Sequence, residues 1–207
     1  SLVRSEGLSE EARNKASIIL EESKRLDAIL KATLNFTRPT QPEESHVDLN
    51  TLIPETMQIL LLGFADLGIS YSFAPNENIA LVQADPDLIK QCLINIVKNA
   101  SEAMEHGGSL TISTGMSEDM VHFRVEDTGQ GVSDSIRDKI FNPFFSTKHK
   151  GSGLGLPMTK KIVEDMGGRV LLDSRPGKGA RFTISLRPVL AIGKAPGGSS
   201  RKSLEKG

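Results

Sequence analysis

The sequence predicts an α+β fold in which a mixed sheet is covered by helices on one face and preceded by a long N-terminal helix. Between residues 47 and 187, segments with the 3.6-residue apolar period are interspersed with segments of period two. Several of the latter lie close enough in sequence to form hairpin-like pairs. Residues 9–38, by contrast, contain few helix breakers and carry one narrow apolar stripe.

The 207 residues are 38% hydrophobic and 25% charged, the balance of a soluble globular chain long enough for one or two domains. Cys92 has no second cysteine to pair with, which excludes a disulfide scaffold. With 25 Lys and Arg against 26 Asp and Glu, and no long block of like charge, bulk electrostatics favour neither a nucleic-acid backbone nor an anionic membrane. No nucleic acid and no membrane contact are therefore expected of this stretch. Its most apolar segment, residues 59–65, is far short of the ~18 residues of a membrane helix, and no charged-then-apolar leader opens the chain. A cytoplasmic location is expected, and because Ser1 is not an initiator Met the chain need not be a complete protein.

Ser9 caps the first helix, Glu10 and Glu11 follow it, and Pro39 disfavours the helical conformation of Arg38. Ala12, Ala16, Ile19, Ser23, Leu26, Leu30 and Thr33 form its stripe, flanked by Ile29 and Phe36. Glu21, Glu22, Lys24, Arg25 and Lys31 occupy other faces. At 1.5 Å per residue this helix is about 45 Å long, more than a small domain covers, so it needs a second helix in a hairpin or dimer bundle. Residues 1–38 form this helical region, and Pro39, Pro42 and polar neighbours make 39–46 a linker. The second domain, 47–187, reads as a helix at 49–67, strands at 69–73 and 80–83, a helix at 85–105, and strands at 109–114 and 120–127. A glycine-rich loop region, a helix at 156–166 and strands at 169–173 and 180–186 complete it. Residues 188–207, rich in Gly, Ser and Lys, read as a disordered tail.

In the helix at 85–105, Ile89, Cys92, Leu93, Ile96, Val97, Ala100, Ala103 and Met104 share one apolar arc, which makes Cys92 a core residue. Asn95 and Asn99 lie together just outside the arc, with Lys98 and Glu102 on the adjoining strip. An amide oxygen is a suitable hard ligand for Mg²⁺, which takes few protein groups and completes its shell with water and substrate phosphates. Taken alone, an Asn pair at this spacing is more often a solvated surface detail. In the strand that follows, Val121, Phe123 and Val125 point inward against His122, Arg124 and Glu126, and Asp127 continues the inward phase. A carboxylate in an apolar layer requires donors. Asp127 is therefore either a ligand-binding acid or a turn residue bonding its own backbone, beside the flexible Thr128-Gly129-Gln130-Gly131.

Lys150-Gly151-Ser152-Gly153-Leu154-Gly155-Leu156 sets three alternate glycines immediately before an amphipathic helix, an arrangement of exposed N–H groups that suits phosphates. No strand leads directly into it and no Lys-Ser/Thr ending follows, so it is neither a dinucleotide fingerprint nor a P-loop. Phe141, Phe144 and Phe145 read as anchors of their loop to the core, and Lys148 as either a solvated charge or a phosphate partner. The four histidines, His46, His106, His122 and His149, share no metal-ligand spacing and are read as non-catalytic.

The succession is specific: the Asn95/Asn99 helix, Asp127-Thr128-Gly129-Gln130-Gly131, the segment 141–148, the segment 151–156, then Gly177-Lys178-Gly179. It resembles the N, G1, F and G2 boxes of the ATP-binding domain of bacterial sensor histidine kinases. Glu21-Glu22-Ser23-Lys24-Arg25-Leu26 and Asn35-Phe36-Thr37-Arg38-Pro39 are similar to the second helix of that family's dimerisation and phosphoacceptor hairpin. The short loop Phe144-Phe145-Ser146-Thr147-Lys148 resembles the nitrogen-regulator-type branch. The resemblance implies a two-layer α/β sandwich of the Bergerat type and a homodimer through the hairpin. It implies that Asp127 accepts from the adenine amino group and that Asn99, helped by Asn95, holds Mg²⁺ on the phosphates of ATP. Gly129 and Gly131 would shape the adenine-side turn. Gly151, Gly153, Leu154, Gly155 and Leu156 would enclose the phosphates, with Glu102 beside them and Lys148 as a catalytic cation. The γ-phosphoryl group would pass to a histidine and then to an aspartate of a response regulator, the chain being cytoplasmic or the cytoplasmic part of a membrane-bound sensor.

This sequence departs from the family pattern in three places. The phosphoacceptor histidine is absent from the chain, so either the piece begins between the two hairpin helices or the protein is a degenerate, non-catalytic nucleotide-binding module. Ala180 stands where many relatives carry Thr or Ser, and Glu102 where some kinases carry Lys. The alternative reading is an ATP-hydrolysing switch of the gyrase, Hsp90 or MutL type. Those proteins place a general-base Glu four residues before the metal-binding Asn, where this chain has Asn95, an amide that accepts no proton at neutral pH.

Overall fold

The computed structural model describes residues 9–37, 43, 45–117, 119–148 and 151–189. The sequence expectations for most of the linker and for the tail beyond 189 lie outside those residues, as do the side chains of Lys24, Arg25, Ile29, Lys31 and Phe36.

Helix α1 (Glu10–Thr37) starts as its cap residue dictates: the Ser9 hydroxyl accepts from the Ala12 N–H at 3.2 Å, and Glu11 pairs with Lys15 one turn on. Ile19, Leu26 and Leu30 of its stripe are exposed. Helix α2 (Leu49–Leu60) is capped by Asp48, whose two carboxylate oxygens accept from the Asn50 N–H and the Thr51 hydroxyl. It does not continue to residue 67 as its sequence suggests. A 3₁₀ turn (Leu61–Gly63) follows, because the apolar period no longer meets the core: Leu62 is 82% exposed while Phe64 is buried.

Five strands form the main sheet, in the order β2 (Ile69–Ala74), β4 (Gly108–Ser117), β5 (Met120–Asp127), β7 (Ala180–Leu186), β6 (Arg169–Ser174). Only the β2–β4 pair is parallel, so the sheet is mixed. Its inner face, with Leu110, Ile112, Val121, Phe123, Val125, Phe182 and Ile184, is fully buried against α2, α3 (Pro86–Ala103) and α5 (Gly155–Asp165). The outer face carries polar side chains, among them the Glu126–Arg181–Asp173 row. His122 belongs to that outer face yet is buried, because it lies over Gly115, where a Cβ would come within 2.7 Å of its Nε2.

Several short segments differ from expectation. Ser45 and His46, read as linker, form strand β1 (Ser45–Val47) with Val47, antiparallel to β3 (Val82–Ala84). β3 itself begins two residues later and ends one residue later than the sequence suggests. Pro188 bridges to Val82 and the Val189 N–H donates to Leu81, so the tail does not begin at 188. A single-turn helix α4 (Asp134–Arg137) and a 3₁₀ turn (Lys139–Phe141) stand where only loop was expected.

Candidate nucleotide-binding site

Helix α3 organises the site. Asp85 caps it, accepting from the N–H groups of Asp87 and Leu88, and Pro86 fits the first turn where no N–H is needed. Ile89, Cys92, Leu93, Ile96, Val97 and Ala100 are buried as their spacing dictates, and burial pushes the Cys92 thiol up to about 12, the state of an inert core residue. The strip beside this face meets the start of α5 and then two loops in succession. At its start, the Asn95 amide donates to the Gly155 carbonyl at 3.3 Å and to the Thr159 hydroxyl at 3.5 Å. Glu102 accepts from the Lys148 ammonium at 2.5 Å. The Ala103 carbonyl accepts from the Gln130 N–H at 3.1 Å, while a Cβ on Gly129 would come within 2.6 Å of that same carbonyl. At 1.5 Å per residue the strip from Asn95 to Ala103 is about 12 Å long.

Asn99 sits within this strip, half-buried, and its amide makes no hydrogen bond among the described residues. Asp127 stands at the end of β5 with 4% of its surface exposed, inward as the alternation predicts. Its Oδ1 accepts from the Gly129 N–H at 2.8 Å and the Ala180 N–H at 3.3 Å, so the turn reading and the ligand reading both describe part of it. Oδ2 takes no hydrogen bond among the described residues. Burial raises the carboxyl above its ordinary value. The two backbone N–H groups pull it back in part, and the Glu126 charge adds to the rise.

The glycine turns are fixed by close backbone packing. Gly179 has φ +75°, and a Cβ there would fall 1.8 Å from the Asp127 carbonyl oxygen. Gly153 has φ +66°, with the Phe144 carbonyl carbon 2.5 Å from any Cβ, and its own carbonyl accepts from the Phe144 N–H. Gly131 lies against the Arg175 backbone and Gly151 beside Ser146. Leu154, nearly fully buried, precedes α5, Gly155 opens that helix opposite Asn95, and Leu156 packs half-buried on the core.

One expectation needs correction and one pair of residues was missed. Phe141 and Phe145 anchor their loop to the core, but Phe144 does not. It holds φ +66° to reach Gly153, which leaves its ring 62% exposed. Ser174, buried at the end of β6, accepts from the Val132 N–H and donates to the Gly179 carbonyl, tying the two glycine turns together. Thr159, fully buried, braces the start of α5 by donating to the Gly155 carbonyl. A lone hydroxyl in each local sequence gave no signal of either role.

A purine nucleotide with a divalent ion suits this donor set. Oδ2 of Asp127 is a free acceptor in a nearly closed niche, and the Asn99 amide is an uncommitted hard oxygen. No three His, Cys, Asp or Glu side chains among the described residues are grouped to hold a metal. An ion here would therefore draw on few protein groups, water and phosphates, which is the habit of Mg²⁺. No helix among the described residues is long and apolar enough to cross a membrane.

A family model described as histidine kinase-, DNA gyrase B-, and HSP90-like ATPase matches residues 84–190. Sensor histidine kinase ZraS of Escherichia coli K12 is 36% identical over 188 residues, which cover 91% of this chain and 40% of ZraS. Among solved structures, full-length ShkA in complex with AMPPNP superposes with a TM-score of 0.76 at 26% identity, over 92% of this chain and 42% of that one. Histidine kinase ThkA in complex with response regulator protein TrrA gives a TM-score of 0.73 at 28% identity, over 90% of this chain and 54% of that one. The chain thus spans about two fifths of the curated relative's length.

Proposed function

We propose that this chain, which belongs to the histidine kinase-, DNA gyrase B- and HSP90-like ATPase family, is the ATP-binding catalytic part of a two-component sensor histidine kinase. It would transfer the γ-phosphoryl group of ATP to a histidine that this chain does not contain, and through it to a response-regulator aspartate. The likeness to ZraS and to ThkA, solved with a response regulator, supports that direction of transfer. The short 144–148 loop supports the nitrogen-regulator-like branch, and the exposed stripe of α1 supports a homodimer through a helical hairpin.

In this reading Asp127, its Oδ1 immobilised by two N–H groups, offers Oδ2 to the adenine amino group. Asn99 orients the metal-bound phosphates, and the backbone of Gly151, Gly153 and Gly155 with the Lys148 ammonium lies along them. Mg²⁺, when bound, neutralises phosphate charge. Phosphoryl transfer depends chiefly on positioning and charge neutralisation, which such a set supplies. The observation that carries transfer over hydrolysis is Asn95: its amide is spent on Gly155 and Thr159, and no proton acceptor stands there to activate water.

Titration calorimetry with ATP and Mg²⁺ tests the site. Asn99→Ala is expected to remove the Mg²⁺-dependent part of the affinity, about tenfold or more, which is about 1.4 kcal/mol. Asp127→Asn is expected to weaken adenine binding with or without the metal. Binding like that of the parent chain in both variants contradicts the assignment.

A further inference from the structure

Glu102 has two lysines, and they differ in kind. Lys98 is its neighbour one turn back on α3, 4.0 Å from Oε1 and 72% exposed, an ordinary helix-surface pair. Lys148 comes from a different part of the chain, 46 residues away, and its Nζ donates to Oε2 at 2.5 Å with both side chains only about a third exposed, 35% and 38%. Asn99 is three residues before Glu102 and therefore its neighbour on the helix surface. Among the described residues, the one cation that the loop following Phe145 brings to this strip is thus held by a carboxylate beside the uncommitted amide of Asn99.

A lysine ammonium is a compact point charge, and a carboxylate next to a phosphate chain repels it. Lys148 cannot be given fully to both. We propose that Glu102 competes with the phosphates of the bound nucleotide for Lys148 and so limits the affinity that the phosphate chain contributes. This rests on the ATP site proposed above. When a phosphate takes the Lys148 ammonium, Lys98 remains to balance the Glu102 charge, so the exchange leaves no bare carboxylate. Glu102 acts through Lys148, as a residue that tunes binding and makes no contact with the nucleotide itself.

The test is a set of titrations with ATP·Mg²⁺ and, as a probe without phosphate, adenosine. Glu102→Gln keeps the size and helix propensity of the side chain and removes its charge. It is expected to tighten ATP binding about two- to fivefold, the scale of releasing a partly exposed ion pair, and to leave adenosine binding unchanged. Lys148→Ala is expected to weaken ATP binding, and adding Glu102→Gln to it to change nothing further. The proposal is overturned if Glu102→Gln weakens ATP binding or leaves it unaltered, if adenosine responds as ATP does, or if the gain persists without Lys148. Failure of the unaltered chain to bind ATP at all would instead overturn the site assignment.

Discussion

Asp127 is a carboxyl in a place that disfavours its charge, and that conflict separates what the site needs from what the fold needs. Burial raises its pKa above the ordinary 3.8, with Gly129 and Ala180 restoring only part of the loss. A raised carboxyl contributes its stability fully below 3.8 and loses it as pH climbs through the raised native value, so above that value the ionised group costs the fold. An amide at this position keeps an oxygen for the same two N–H donors. Asp127→Asn is therefore expected to raise the Tm of the nucleotide-free protein by about 2 °C at pH 7, an advantage that shrinks as pH falls toward 4, while weakening adenine binding. Thermal melts across that range check it, and a lower Tm at pH 7 would show that the fold depends on the charge. Asp127 was legible in the sequence because strand alternation carried it inward, and Asn95 and Asn99 because their spacing put them together beside an apolar arc. The Glu102–Lys148 pair was not, since a contact between residues 46 apart leaves no local period. Nor did Asn95 announce that its amide would be used on α5.

At the scale of elements, the long periodic segments were read correctly and the short ones were not. Helices α1, α3 and α5 and the strand β5 each repeat their pattern several times. β1 has three residues, too few for alternation to register, and the prolines before it gave it the composition of a linker. α4 is a single turn, with no room for a helical period. The end of α2 was overrun because Leu62 and Leu67 keep an apolar composition while facing solvent. Helix α1 is the element whose sequence and surroundings disagree: its stripe is apolar, yet Leu26 and Leu30 are 62% and 59% exposed. A pair of exposed leucines adds little to the stability of this chain by itself, so Leu26→Glu with Leu30→Glu is expected to shift the Tm of the monomer by less than the equivalent of about 0.5 kcal/mol. The same pair should abolish self-association, because charge in a buried seam lacks a partner. Light scattering against concentration distinguishes the two effects. A parent chain that stays monomeric at every concentration contradicts association through this helix, and unfolding of the double variant contradicts its being unpartnered.

Over the whole molecule, one layer of helices on a mixed sheet leaves the helix α3 strip, the end of β5 and two glycine turns gathered on one side. The class of fold and the inward face of the sheet followed from periodicity. The gathering itself followed from strand order, which local sequence does not encode: β7 lies next to β5 and so brings the Ala180 N–H to Asp127. On the proposed reading the molecule so assembled would bind ATP and orient its phosphates, with an amide and no proton acceptor at Asn95 to activate water, and no histidine on α1 to receive the phosphoryl group. The direct measurement incubates the chain with γ-labelled ATP and Mg²⁺, alone and with a separately supplied helical-hairpin segment bearing the missing histidine. The account predicts no label on the chain by itself, slow release of phosphate, and acid-labile, base-stable label on the supplied histidine that Asn99→Ala removes. Rapid hydrolysis by the chain alone, with no transfer to the histidine, would contradict it.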